Sequence, residues 1–93
     1  MNSVEGILFS GKNCGICTAL KPKLSEVMNT YPGIDYRVVI AEEDPALAAS
    51  HTVFNVPVLL ILAEGREFRR YHGAFSLNEV KNDIDRLLSL MGD

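Results

Sequence analysis

Tryptophan is absent from the 93-residue chain, and cysteine and histidine occur only twice each. Two cysteines are too few for the disulfide framework on which small secreted domains depend. A spacing of three residues also closes too short a loop to restrain the unfolded chain much. The two histidines, His51 and His72, lie in different segments without ligand-like spacing, so a closed four-ligand zinc site is not prefigured. Positive charge is not in excess: nine Lys and Arg against twelve Asp and Glu leave a net charge of −3, which argues against a nucleic-acid surface. No apolar run is long enough to span a bilayer, and the N-terminus lacks the basic stretch and apolar core of a signal peptide. The expectation is a cytoplasmic protein with no membrane partner. No repeat, linker or low-complexity segment divides the chain. With 47% hydrophobic residues it is expected to form one domain over residues 1–93 around a single core.

Against these absences stands one pattern, Cys14-Gly15-Ile16-Cys17, between an apolar run and a helical pattern. A thiol at the mouth of a helix meets unpaired backbone N–H groups and the positive end of the helix dipole, and both favour the thiolate. Three residues on, the second thiol shares its face and is near enough to close a small disulfide ring. Such a pair passes two electrons by thiol–disulfide exchange, one sulfur attacking and the other resolving the mixed disulfide. The same spacing also supplies half of a zinc site, or two ligands of a [2Fe–2S] cluster shared between two chains. Redox use of the pair is the favoured reading on this cysteine count.

The flanking pattern alternates in period. Val4–Ser10, with Ile7, Leu8 and Phe9, reads as a buried strand bounded by Ser10-Gly11-Lys12-Asn13. Leu20, Leu24, Val27, Met28 and Tyr31 then share one face of a helix that Pro22 is expected to bend and Pro32-Gly33 to stop. Ile34–Ile40 reads as a second strand. Asp44-Pro45 begins a short alanine-rich helix over 45–51. Val58–Ala63 is the most apolar run and is expected in the middle of the sheet. Glu64-Gly65 is expected to turn it into a more polar antiparallel strand over 66–71. Ser76 and Glu79 predict the cap of a last helix with Val80, Ile84, Leu87, Leu88 and Met91 on one face. The acidic group Glu42-Glu43-Asp44 reads as a solvated loop capping the helix after it. The fold class is therefore α/β, in the order β-α-β-α-β-β-α, with a right-handed parallel unit followed by a hairpin at the sheet edge.

In that frame the chain resembles the thioredoxin family. Cys14-Gly15-Ile16-Cys17 follows the first strand, and Pro22 stands five residues after the second cysteine, where thioredoxins have a kinking proline. Val56-Pro57 opens the third strand, at the family's cis-proline, and Gly73 follows the fourth, where the family has a glycine beside the active site. The match runs from about Val4 to Met91. The resemblance implies a thioredoxin-like fold, a four-stranded mixed sheet flanked by helices, in its short form without the additional N-terminal strand and helix. It also implies Cys14 as nucleophile and Cys17 as the more buried resolving thiol. A cis Pro57 would lie against the pair, and the Val56 backbone would be open to an extended substrate segment. Gly15, Ile16 and Gly73 would complete the contact surface. Protein disulfides are the implied substrates and a thioredoxin-reductase-type flavoenzyme the implied electron donor. No metal or cofactor beyond the dithiol is implied, and the protein is expected to be a monomer.

The chain also departs from the family. Asn13 and Ile16 stand where thioredoxins have tryptophan before the first cysteine and proline between the two, which implies different partners and a less reducing potential. Leu8 and Val38 occupy the places of the family's buried acid and neighbouring lysine, so the proton on Cys17 needs another acceptor. Two alternatives follow. One is a glutaredoxin-like, glutathione-dependent reductase, although Cys-Pro-Tyr-Cys and a late Gly-Gly pair are absent. The other is a non-catalytic binding or redox-sensing module. His51 reads as a solvated helix-end residue and His72 as a surface residue, and Lys12 is assigned no role.

Overall fold

The apolar run at the start of the chain forms β1 (Val4–Ser10), whose alternate side chains serve two different cores. The computed structural model describes residues 3–92. After β1 come α1 (Gly15–Met28), β2 (Ile34–Ile40), a single 3-10 turn (Ala41–Glu43), α2 (Pro45–Ser50), β3 (Val58–Ala63), β4 (Arg66–His72) and α3 (Leu77–Leu90). The strands form one sheet in the order β2-β1-β3-β4. β1 and β2 pair in parallel, and β1–β3 and β3–β4 are antiparallel. The sheet is therefore mixed, with the two most apolar strands inside, as their near-continuous hydrophobic runs require.

Strand alternation divides the interior. Leu8, Leu59 and Ile61 pack with Leu20, Leu24 and Met28 of α1 and with Val80, Ile84 and Leu87 of α3. Ile7, Phe9, Val58, Leu60 and Leu62 pack on the other face with Ala48 of α2 and Val53. Full burial of each large aliphatic side chain contributes about 2 kcal/mol, so both helical layers are held chiefly by this pattern. Gly6 allows a close approach on the first face. A Cβ there would sit 3.3 Å from both Met28 Cε and Tyr36 Cδ1. The end of α1 therefore rests on the beginning of β1.

Local chemistry sets the ends of the elements. The Ser76 hydroxyl accepts the Glu79 N–H, and the Asp44 carboxylate accepts the Leu47 N–H, as cap positions favour. Glu64 and Gly65 both have positive φ, the conformation of a two-residue turn matched to strand twist. α1 runs unbroken through Pro22 but ends at Met28, earlier than the expected stop at Pro32-Gly33. Both the backbone N–H and the hydroxyl of Thr30 bond to the Val27 carbonyl, which tightens the chain out of the helix. Glu42 and Glu43 lie in a 3-10 turn, where a loop was expected.

Two of the three tyrosines tie α3 to the rest of the fold. Tyr31 donates to Asp85 at 2.7 Å and Tyr71 to Asp83 at 2.6 Å, so both anchor α3. Burial and then the Asp85 bond push the Tyr31 phenol up to about 12. Burial alone pushes Tyr36 up to about 12. Burial and then the Asp83 bond push Tyr71 up as well. Ionisation is disfavoured in the folded state for all three. Their contribution to stability is thus intact below the unfolded value near 10 and is lost as pH rises toward about 12. Tyrosinate absorbance is expected to appear together with alkaline unfolding. A tyrosine titrating near pH 10 in protein that remains folded would contradict these contacts.

Candidate active site

Cys14 is the residue on which α1 begins. It caps the helix in an extended conformation (φ −128°, ψ 102°), and its Sγ accepts the Cys17 N–H at 3.2 Å. The Cys14 carbonyl accepts both the N–H and the hydroxyl of Thr18 at 3.1 Å, closing the first turn. Cys14 and Cys17 form a disulfide with their Cα atoms 5.2 Å apart. The two sulfurs differ in access: Cys14 is half-buried and Cys17 is 0% exposed. The first-turn N–H and the helix dipole act on Cys14, the sulfur that a second molecule can reach.

The loop before Cys14 meets the segment that carries Val56 and Pro57. The Val56–Pro57 peptide is cis and Pro57 is fully buried. A Cβ on Gly11 would lie 2.8 Å from Val56 Cγ2 and 3.5 Å from Cys14 Cβ. Gly11 is therefore the spacer that lets the loop before Cys14 close on the loop before Pro57. Sequence reasoning saw only a loop glycine there. Gly73, with φ +68°, donates its N–H to the Pro57 carbonyl at 3.2 Å, and open space surrounds the place of its absent Cβ. Gly15 is the first residue of α1 and opens on space, and Ile16 beside it is 51% exposed.

Two further features had no signature in the sequence. Arg70 of β4 reaches across to the carbonyls of His51 and Thr52 and is itself gripped by Glu67 at 2.9 and 3.1 Å. The bond from Arg70 holds the Glu67 carboxyl below its usual range. Thr52 has φ +58°, a conformation that costs a β-branched residue about 1 kcal/mol or more. Arg70 thus pins the start of the segment that delivers Val56 and Pro57. The second feature is Phe54, 76% exposed on that segment. With Ala41, Glu42, Val53 and Val56 it lines a cavity of about 670 Å³.

The remaining candidates take ordinary places. The Lys12 ammonium lies 3.8 Å from Glu43 in an exposed pair worth little, and its backbone N–H donates to Glu42. His72 is exposed at the end of β4. His51 does cap the end of α2, but its ring lies half-buried against Phe9, 6.0 Å between centroids, and is not fully solvated. Leu8 and Val38 are register partners in β1 and β2. Leu8 is 0% exposed and Val38 is 42% exposed at the sheet edge. Among the described residues, no three His, Cys, Asp or Glu side chains gather as a metal site would need, and no helix is long and apolar enough to cross a membrane.

A family model described as Thioredoxin matches residues 4–86. The thioredoxin-like protein YdfQ of Bacillus subtilis is 30% identical over 84 residues, covering 90% of this chain and 75% of YdfQ. Thioredoxin C-3 of Corynebacterium nephridii is 27% identical over 75 residues, or 81% of this chain. The chain spans about half the length of that relative and of several others it matches. Among solved structures, thioredoxin 1 of Thermosipho africanus TCF52B superposes with a TM-score of 0.87 at 31% identity, covering 96% of this chain and 99% of that one.

Proposed function

From the premise that this chain belongs to the thioredoxin family, we propose that it reduces protein disulfides through Cys14 and Cys17. Family, fold and disulfide together support thiol–disulfide exchange as its general chemistry. The observation that carries the finer reading is the asymmetry of the pair, one sulfur capping a helix within reach of solvent and the other buried behind it.

In the reduced protein the Cys14 thiolate attacks one sulfur of a substrate disulfide. That S–S bond breaks, the other substrate sulfur leaves as a thiolate, and a mixed disulfide forms. The Cys17 thiolate then attacks Cys14 Sγ, releasing the second substrate thiolate and closing the protein disulfide. Two electrons have passed to the substrate, and solvent protonates the departing thiolates. Substrate would lie along the Val56 backbone as an added strand, with Gly15, Ile16 and Gly73 around the sulfur. A thioredoxin-reductase-type flavoenzyme would return the electrons to a monomeric protein in the cytoplasm, with no cofactor beyond the dithiol.

The test is turnover of a disulfide-containing protein with that flavoenzyme and, separately, with glutathione as reductant. Reduction is expected with the flavoenzyme. Turnover with glutathione alone would instead favour a glutaredoxin-like reductase. The apolar Leu8–Val38 pair favours a binding or redox-sensing module as the second reading, and absence of turnover with either donor would support it.

A further inference from the structure

Ser10 is fully buried, and its hydroxyl has no hydrogen-bond partner among the described residues, a condition it shares with the Tyr36 hydroxyl. An unpaired buried hydroxyl costs free energy, so its presence points to another state of the protein that uses it. Its position indicates which state. Alternation along β1 places Ser10 on the same face as Val4, Gly6 and Leu8, the face covered by α1. α1 joins two parallel strands and so runs opposite to β1, with Met28 resting over Gly6. From Met28 back to Cys17 is about 16 Å of helix, and from Gly6 forward to Ser10 is about 13 Å of strand. Ser10 and Cys17 therefore occupy the same end of one layer. Cys17, Leu20 and Leu24 form the inward face of the helix, and Cys17 is as buried as Ser10. Lys12, Glu42 and Glu43, the charged groups of the adjoining loops, are exposed outside this layer.

We propose that the Ser10 hydroxyl donates a hydrogen bond to the Cys17 thiolate when the disulfide is open. In the disulfide, Cys17 sulfur is neutral and bonded to Cys14, and it needs no donor. On reduction it becomes a buried thiol whose anion must attack Cys14. With Leu8 and Val38 in the places of an acid and a lysine, Ser10 offers it a hydroxyl at this end of the layer, whereas Tyr36 lies at the other end beside Gly6 and Met28. The hydroxyl stabilises the thiolate without taking its proton, which leaves to solvent. The exchange remains the one given above: Cys17 sulfur bonds to Cys14 Sγ, and the bond from Cys14 to the substrate sulfur breaks. The substrate disulfide is the oxidant. Ser10 acts by setting the energy of the reduced state.

The inference rests on the dithiol reading, but its test does not require turnover of a protein substrate. Ser10→Ala and the parent protein are equilibrated with glutathione redox buffers over a series of pH values from neutral to alkaline, and their melting is followed oxidised and reduced. As pH rises and Cys17 ionises, loss of the bond is expected to shift the equilibrium by up to about tenfold toward the disulfide, or about 30 mV to more negative potential. At pH values below that ionisation, release of a chromogenic thiol from a preformed Cys14 mixed disulfide should slow about threefold, since a more basic Cys17 is less ionised but more nucleophilic. The oxidised variant should melt at or above the parent temperature, because only an unpaired hydroxyl has been removed. An unchanged potential would overturn the proposal. So would equal destabilisation of both redox states, which would mean a hydroxyl satisfied by buried water throughout. A parent protein that equilibrates with glutathione but reduces no protein disulfide would remove the proposed function and leave the Ser10 comparison readable.

Discussion

Cys17→Ser is expected to convert the protein into a trap, holding substrates on Cys14 as mixed disulfides that survive non-reducing electrophoresis. Cys14→Ser is expected to capture nothing and to lower disulfide reduction by roughly a thousandfold or more, because a serine hydroxyl supplies essentially no anion at neutral pH. The asymmetry follows from place. Cys14 Sγ takes the first-turn N–H of α1 and is accessible, whereas Cys17 is 0% exposed and can reach only Cys14. Neither variant should unfold the chain. The disulfide closes a ring of about four residues, for which loop entropy gives only about 2 kcal/mol. Comparable melting of the two variants therefore separates chemistry from folding. Capture by Cys14→Ser in place of Cys17→Ser would reverse the assigned roles.

The features legible in the sequence were those carried by period and punctuation. β1 and β3 lie where the apolar runs do, because central strands buried on both faces leave little room for polar interruptions, while the edge strand β2 carries Asp35 and Arg37 and was marked by its β-branched and aromatic residues. Ser76 and Asp44 were readable as caps since their side chains bond only three residues ahead. The cis form of Pro57 came from the resemblance, as only about 5–6% of such bonds in folded proteins are cis. What stayed hidden depends on partners far along the chain. Arg70 looked like one of several charges on a polar edge strand, yet it bonds to two backbone carbonyls that have no sequence identity to read. Phe54 would pass for a core residue in any hydrophobicity count, and only the fold leaves it on the rim of a cavity. Ser10 stood at the edge of a loop pattern. The sequence also makes it the end of the first strand, as the structure has it, and what only the structure adds is that its side chain is fully buried and unpaired among the described residues.

Leu8→Asp, which restores the family's acid without its lysine, is expected to be the most destabilising substitution at the site. Leu8 lies in the core with Leu20 and Leu24, and its register partner Val38 offers no charge. Losing the aliphatic contacts costs about 3 kcal/mol, and an unpaired buried carboxylate costs several more. The total approaches the 5–15 kcal/mol that holds a typical domain together. The sign of the pH dependence is set by burial. A desolvated carboxyl has a folded pKa above its unfolded value near 4, so the protonated form is the one tolerated. The variant should be most stable below pH 4 and should lose about 1.4 kcal/mol per pH unit from there until the folded pKa is reached. Adding Val38→Lys places an ammonium on the adjacent strand at the sheet edge, where it can keep its own solvation while facing the acid. The double variant should recover part of the loss at pH 7 and flatten the pH dependence, a coupling that a double-mutant cycle measures directly. It should also speed Cys17 attack on Cys14 mixed disulfides at neutral pH, because a proton acceptor then lies in the layer that holds Cys17. A Leu8→Asp protein equally stable at pH 4 and pH 8 would mean that water already reaches this face of β1. Water could then solvate the Cys17 thiolate directly, and the resolving sulfur would have no need of a buried donor.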